Sequence, residues 1–234
     1  MGCDTNPNLR KKLINNIDAF TAICEYDLQY LKGIKEIPSV LLRPVLKGAE
    51  RGLNTKEEFL KKIKKLIVVG SFTWGPKAQN IRALVRAFDE NNMVSEGFEL
   101  HVVGRIEEDL AVELKSMCPS IHISGQVIDL ENYYSNCSIA LIPEVMGGGF
   151  KLKVAEAAMF KKAIFSVKGA ITKSNLKPEL HFIESRDLDE LMVSLIERVK
   201  NPDELWQIAE LAHKTVNAEY TQEALSNGLK TLLQ

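Results

Sequence analysis

From Leu66 onward, short apolar runs alternate with amphipathic segments. Leu66-Ile67-Val68-Val69-Gly70 is an apolar run closed by glycine. The segment after it places Ile81, Leu84, Val85 and Phe88 at helical spacing. Phe98 to Gly104 repeats the strand-then-glycine pattern, a polar helix is predicted around Glu107 to Met117, and Ile121 to Gly125 reads as a third strand. A short helix around Leu130 to Tyr134 precedes the strand Ser138 to Pro143. A glycine-rich loop then leads to a helix over Lys153 to Phe160. Ala163 to Val167 and Leu180 to Ile183 supply the last two strands. Leu188, Leu191, Met192, Leu195 and Ile196 form one helical stripe, and Asn201-Pro202 marks the start of the next helix. A final helix is predicted over Gln222 to Leu233.

The strands are continuous apolar runs rather than alternating ones, the pattern of strands buried on both faces of a parallel sheet. The expected fold is therefore α/β, a doubly wound, mostly parallel, Rossmann-like sheet. In such folds a ligand sits outside the carboxyl ends of the strands. The first 65 residues differ. Ala19 to Cys24 and Val40 to Leu42 read as strands around a helix over Glu25 to Lys32, a short β-α-β piece too small for its own core. Thr55-x-x-Glu58 is a capping box that opens a basic helix running to Lys65.

The length of 234 residues suffices for one large domain plus a fragment. With a net charge of −1, no global basic field draws nucleic acid or anionic lipid, and any anion site must be local. Cys3, Cys24, Cys118 and Cys137 show no C-x-x-C spacing, so neither a zinc site nor a redox pair is signalled; Cys24 and Cys137 read as buried thiols. There is no signal-peptide pattern and no apolar stretch near the ~18 residues of a membrane span. Met1-Gly2-Cys3 hints at acylation, but Asn6 stands where that motif needs Ser or Thr. A cytoplasmic setting is expected, with a peripheral place at the membrane left open.

The densest chemistry lies in Pro143-Glu144-Val145-Met146-Gly147-Gly148-Gly149-Phe150-Lys151-Leu152-Lys153, which joins a strand to a helix. Glycines there allow close backbone approach, and the helix start offers free N–H groups to an anion. Lys151 and Lys153 oppose the helix dipole by ~0.3–1 kcal/mol each, a conflict that a bound phosphate would remove. The alternative is a flexible loop with two solvated lysines and a Lys153–Glu156 surface pair. Glu156 is either an exposed helix former or a carboxylate aimed at sugar or ribose hydroxyls. Gly70, Lys77 near the next helix start, and Arg105 after Gly104 occupy further strand-end positions. Neither G-x-G-x-x-G nor G-x-x-x-x-G-K-[ST] occurs, which disfavours a dinucleotide or P-loop site. His101 and His122 fall in strands and read as packed side chains. No metal site is expected.

The run Gly147-Gly148-Gly149-Phe150-Lys151-Leu152-Lys153-Val154-Ala155-Glu156-Ala157-Ala158, followed by Lys162-Ala163-Ile164-Phe165-Ser166, resembles the C-terminal, donor-binding domain of group 1 (family 4-like) glycosyltransferases of the GT-B architecture. Gly70 to Pro76, Leu100 to Gly104, and Gly125-Gln126-Val127 with Tyr133-Tyr134 and Ile142-Pro143 agree in order and spacing, so the likeness covers about residues 17 to 234. The resemblance implies a retaining hexosyltransferase that holds a UDP-, GDP- or ADP-sugar as substrate, with no cofactor. Glu156 and Lys153 would serve as catalytic groups, with Glu156 on the ribose. Lys77 would meet the diphosphate; Lys151, Glu144, Arg105, Gly70 and the loop Gly147, Gly148 and Gly149 would line the donor. Val127 would hold the base through its backbone.

By the same resemblance, residues 1–46 are a remnant of an acceptor-side domain, 47–65 a linker helix and 66–234 the nucleotide-sugar-binding domain. The acceptor, a glycan, lipid or protein, would then need a second domain or a partner chain. A non-catalytic nucleotide-sugar-binding or interaction module is the rival reading, and a different Rossmann enzyme a third. The sequence departs from the family in three places. Gly148 stands where many members carry an earlier glutamate, Ser71 where an arginine is frequent, and Lys161-Lys162 where Gly and Pro usually precede the strand.

Overall fold

The computed structural model describes residues 16–46, 55–144 and 150–233. The chain divides into two compact units, one of residues 1–46 with 218–234, the other of residues 47–217.

In the smaller unit, β1 (Phe20–Ala22) and β2 (Ser39–Leu41) pair in parallel around α1 (Glu25–Lys32). Phe20, Ala22 and Leu28 form a small buried cluster flanked by Ile17, Leu31, Ile37 and Leu41. The last helix of the chain belongs to this unit and packs on β2. There Gly228 fits so closely that a Cβ would lie 2.5 Å from Leu42 Cδ2. The backbone N–H of Leu46 donates to Tyr220 O at 3.0 Å, and Arg43 pairs with Glu219 at 3.1 Å. The resemblance expects residues 66–234 to form one domain; here residues 218–234 group with residues 1–46, since an amphipathic stripe does not say which surface it covers.

The larger unit opens with α2 (Lys56–Lys61). Thr55 caps it: Glu58 N–H donates to Thr55 Oγ1 at 3.2 Å. The helix stops well before the expected Lys65, because Lys65 already pairs with Glu99 in the sheet. The strands are β3 (Lys65–Val69), β4 (Glu99–Val103), β5 (His122–Gly125), β6 (Ile139–Ile142), β7 (Ala163–Val167) and β8 (Ile183–Ser185). They form one all-parallel sheet in the order β5-β4-β3-β6-β7-β8. The central runs β6 and β7 are buried along their whole length, as their unbroken apolar sequence requires. The last strand begins at Ile183 rather than Leu180; Glu179 has φ +59°, Leu180 is exposed in a turn, and the buried Phe182 makes only an isolated bridge to Pro178.

The helices are α3 (Gly75–Glu90), α4 (Glu108–Met117), α5 (Glu131–Ser135), α6 (Leu152–Met159), α7 (Leu188–Arg198), α8 (Pro202–Asn217) and α9 (Gln222–Leu233), the last in the smaller unit. α3 packs on α4 and α7; α6 packs on α8, and α2 also meets α8, where the rings of Phe59 and Trp206 make an edge contact at 5.3 Å. The doubly wound α/β expectation is met. One buried feature was not foreseen: Lys162 is fully enclosed, and its ammonium donates to Cys137 O at 2.7 Å. Burial pushes its pKa down to about 7, while Cys137, the next largest influence, pulls upward.

Candidate functional site

The strand order reverses between β3 and β6, so the crevice at their carboxyl ends is the switch point where such sheets take ligands. Gly70 follows β3 and Glu144 follows β6 by two residues. Helix α6 begins beside this crevice, with Lys151 as its N-cap and Lys153 in its first turn. Its first turn holds no acidic residue, and Lys151 provides no side-chain cap.

Lys153 reaches both sides of the crevice. Its Nζ lies 3.4 Å from Val69 O at the end of β3, and it makes an ion pair with Glu144 beyond β6. Both partners are nearly enclosed, with side-chain exposures of 15% and 7%. Burial lowers the Lys153 pKa to about 7; Lys77 pushes in the same direction and Glu156 opposes. The touching Glu144 carboxylate also favours the charged ammonium. Glu144 Oε2 is buried without a hydrogen-bond partner among the described residues. The surface Lys153–Glu156 pair considered from sequence is thus replaced by a buried Lys153–Glu144 pair.

Lys151 donates to Ala170 O at 2.6 Å, and burial followed by Lys77 lowers its pKa. Lys77 lies in the first turn of α3, two residues after its start, and its charge is felt by both other lysines. Lys77 thus acts on both Lys151 and Lys153, and all three stand where α3 and α6 begin. Glu156 sits one turn beyond Lys153 on α6 and is half-buried. Burial raises its pKa and Lys153 lowers it. Its charge also reaches the buried Tyr134, whose ring stacks on Phe160 at 4.7 Å.

A row of glycines closes the sheet's carboxyl edge. Gly70 N–H donates to Val103 O at 3.0 Å and Gly104 N–H to Gly125 O at 2.8 Å. A Cβ on Gly104 would lie 1.8 Å from Gly70 O, and Gly104 has φ +125°, so no other residue fits there. Arg105 is exposed beyond β4, and Val127 is half-buried in the bend after β5. They follow strands one and two places from β3, and the Arg105 carbonyl accepts from Phe72 N–H in the loop after β3 at 2.7 Å. Gly147, Gly148 and Gly149 lie outside the described residues.

Two buried polar atoms were missed from sequence. Ser166 Oγ on β7, in register with Ile142, and Asn80 Nδ2 on α3 have no hydrogen-bond partner among the described residues. The signal available was a lone hydroxyl in the apolar run Ala163 to Val167.

Among the described residues, no helix is long and apolar enough to cross a membrane. The sequence profile described as glycosyl transferases group 1 matches residues 63–201. Among curated proteins, no sequence matches the chain. Several solved structures share the fold. A glycosyltransferase from Rickettsia africae is 17% identical, with a TM-score of 0.74 over 97% of this chain and 66% of that one. Anabaena Alr3699/HepE in complex with UDP-glucose is 12% identical, with a TM-score of 0.74 over 97% of this chain and 66% of that one. The sucrose-phosphate synthase of Thermosynechococcus elongatus is 16% identical, with a TM-score of 0.73 over 97% of this chain and 60% of that one. The chain thus spans less than two thirds of the length of each of these proteins. The profile match takes in β3 to β8 with the crevice between β3 and β6, and on that match the chain belongs to the group 1 glycosyl transferases.

Proposed function

We propose that the larger unit binds a nucleoside-diphosphate sugar at the β3/β6 crevice and supports transfer of its sugar with retention of configuration. One observation carries the reading: Lys77, where α3 begins, acts electrostatically on both Lys151 and Lys153, where α6 begins. Three cations at helix N-termini are costly without an anion and favourable around a diphosphate. In this reading Lys153 and Lys77 meet the diphosphate, Lys151 and the Gly147 to Gly149 loop lie along it, and Glu156 binds ribose hydroxyls. Val127 holds the base by its backbone, and Arg105 borders the donor.

Transfer breaks the bond from the sugar's anomeric carbon to the diphosphate oxygen, and the diphosphate leaves with the electron pair. Preorganised ammonium groups and backbone N–H groups stabilise the charge that develops there. The acceptor's oxygen bonds to the anomeric carbon on the face that the diphosphate leaves, and its proton passes to the departing phosphate oxygen. The acceptor side comes from outside this unit, in a second domain or a partner chain.

The test is a thermal-shift panel of UDP, GDP, ADP and their sugars, with Lys153→Ala and Glu156→Ala as controls. A ligand at ~100 times its Kd stabilises by about 2.7 kcal/mol, and the controls remove that shift. The reading fails if no nucleotide stabilises the protein. Binding without hydrolysis or transfer, even with added acceptors, would favour the non-catalytic module instead. The anomeric configuration of any product, read by NMR, decides retention.

A further inference from the structure

A second cluster lies on the β4–β5 ladder. Glu99 and His101 are two residues apart and so share a face of β4, while His122 is the register partner of His101 on β5. The ladder holds the two imidazoles stacked, with centroids 4.6 Å apart and planes inclined by 16°. One ligating atom from each of Glu99, His101 and His122 lies within 4.8 Å of the others.

The separations do not describe a hydrogen-bonded group. Glu99 Oε2 is 3.6 Å from His101 Nε2, beyond hydrogen-bond length. That Nε2 is buried and has no hydrogen-bond partner among the described residues. A buried ring nitrogen left without a partner costs free energy unless something else meets it. β5 is the edge strand of the sheet and His122 is exposed, which leaves a route from solvent to the cluster.

We propose that Glu99, His101 and His122 bind a divalent transition-metal ion of the Zn2+ class, with water in the fourth position. Two imidazoles and one carboxylate suit zinc better than calcium or magnesium, which prefer all-oxygen shells. Zn–N and Zn–O bonds of about 2.0–2.2 Å place tetrahedral ligands about 3.3–3.6 Å apart. Side-chain rotation is required to reach that spacing: it closes the atoms by about 1 Å and turns the two rings out of their stack so that both nitrogens face one ion, without a change of register. Lys65, from the adjacent strand β3, now holds Glu99 Oε2 at 3.1 Å; its side chain is 39% exposed and swings away when the ion takes the carboxylate. The ion ties the edge strand to its neighbour across the ladder. The site stands apart from the proposed donor crevice and does not depend on that reading.

The experiment uses the full chain, stripped of metal with a chelator and dialysed. ZnCl2 is titrated by calorimetry and CoCl2 by visible absorption. Wild-type protein is expected to bind one ion with micromolar affinity, to show tetrahedral Co2+ bands and to melt at a higher temperature with Zn2+. His122→Ala and Glu99→Gln, both at solvent-exposed or half-exposed positions, should weaken binding by at least about tenfold with an unchanged circular-dichroism spectrum. Affinity that is unchanged in both variants, or wild-type binding no tighter than millimolar, overturns the proposal.

Discussion

The ammonium of Lys153 pairs with the carboxylate of Glu144 across the point where the sheet reverses its strand order. Each is the other's counter-charge in a nearly closed space, so removing one strands the other. Loss of one member of a buried pair costs about 3–5 kcal/mol, whereas loss of both costs much less. Lys153→Met should therefore destabilise the protein by about 3 kcal/mol, and Lys153→Met with Glu144→Gln should recover more than half of that. Urea unfolding of the wild type, each single variant and the double variant measures the coupling. Donor binding should be lost in both Lys153 variants, which separates the stability role of the pair from its ligand role.

Lys153 also sets a pH dependence for donor binding. Its pKa is lowered to about 7 in the free protein, chiefly by burial. A bound diphosphate favours the ammonium and raises that pKa. Above pH 7, binding must then take up a proton, and affinity for a nucleotide sugar should fall by up to about tenfold per pH unit. Calorimetry from pH 6.5 to 8.5, in buffers of different ionisation heat, reads both the affinity and the proton uptake. Lys153→Arg, which stays charged, should flatten the profile; an equally steep profile would assign the dependence to another group.

Lys162 affects stability rather than binding. Its folded pKa is about 7, lowered from 10.5 mainly by burial, so the unfolded chain holds more protons than the folded one above pH 7. Stability must rise with pH in that window, by up to about 1.4 kcal/mol per unit from this one group. The gain runs from pH 7 towards pH 8.5. Higher up, the raised thiol pKa of Cys137, about 12 through burial, begins to work the other way as unfolded thiols ionise. Lys162→Met should flatten the rise seen in urea unfolding; a parallel curve would show that Lys162 is not its source.

Two glycines give opposite expectations. Gly104→Ala drives a Cβ into Gly70 O at 1.8 Å from a backbone at φ +125°, and should cost at least about 2 kcal/mol or prevent folding. At Gly75, the first residue of α3, a Cβ meets nothing within 4 Å. Gly75→Ala should be neutral or stabilising by about 0.4–1 kcal/mol. Melting temperatures of the two variants check the contrast.

Most of the fold was legible because its signals are local. α1, α9 and β7 fall on their predicted spans, since each is an unbroken stripe or apolar run between clear breakers. The misses occurred where a local signal had two uses. Leu180 to Phe182 reads as a strand but forms a turn and an isolated bridge before Ile183, and the basic stretch after Lys61 gives way to β3 at Lys65. In the candidate site, sequence found Lys153, Lys151, Lys77 and Glu144 as separate cations and carboxylates near strand ends. It offered Glu156 as the partner of Lys153, because three residues along a helix is the only neighbourhood that sequence displays.

By itself, the sequence determined the alternation of buried strands and amphipathic helices, and the placing of glycines and lysines at strand ends, because hydrophobic period and turn chemistry are properties of neighbouring residues. Only the tertiary structure decided that Lys153 answers Glu144 and Val69, that Gly104 lies against Gly70, and that His101 stacks on His122. Those pairs meet through strand order and ladder register. Both are fixed by the packing of segments far apart in the chain, which no local pattern records.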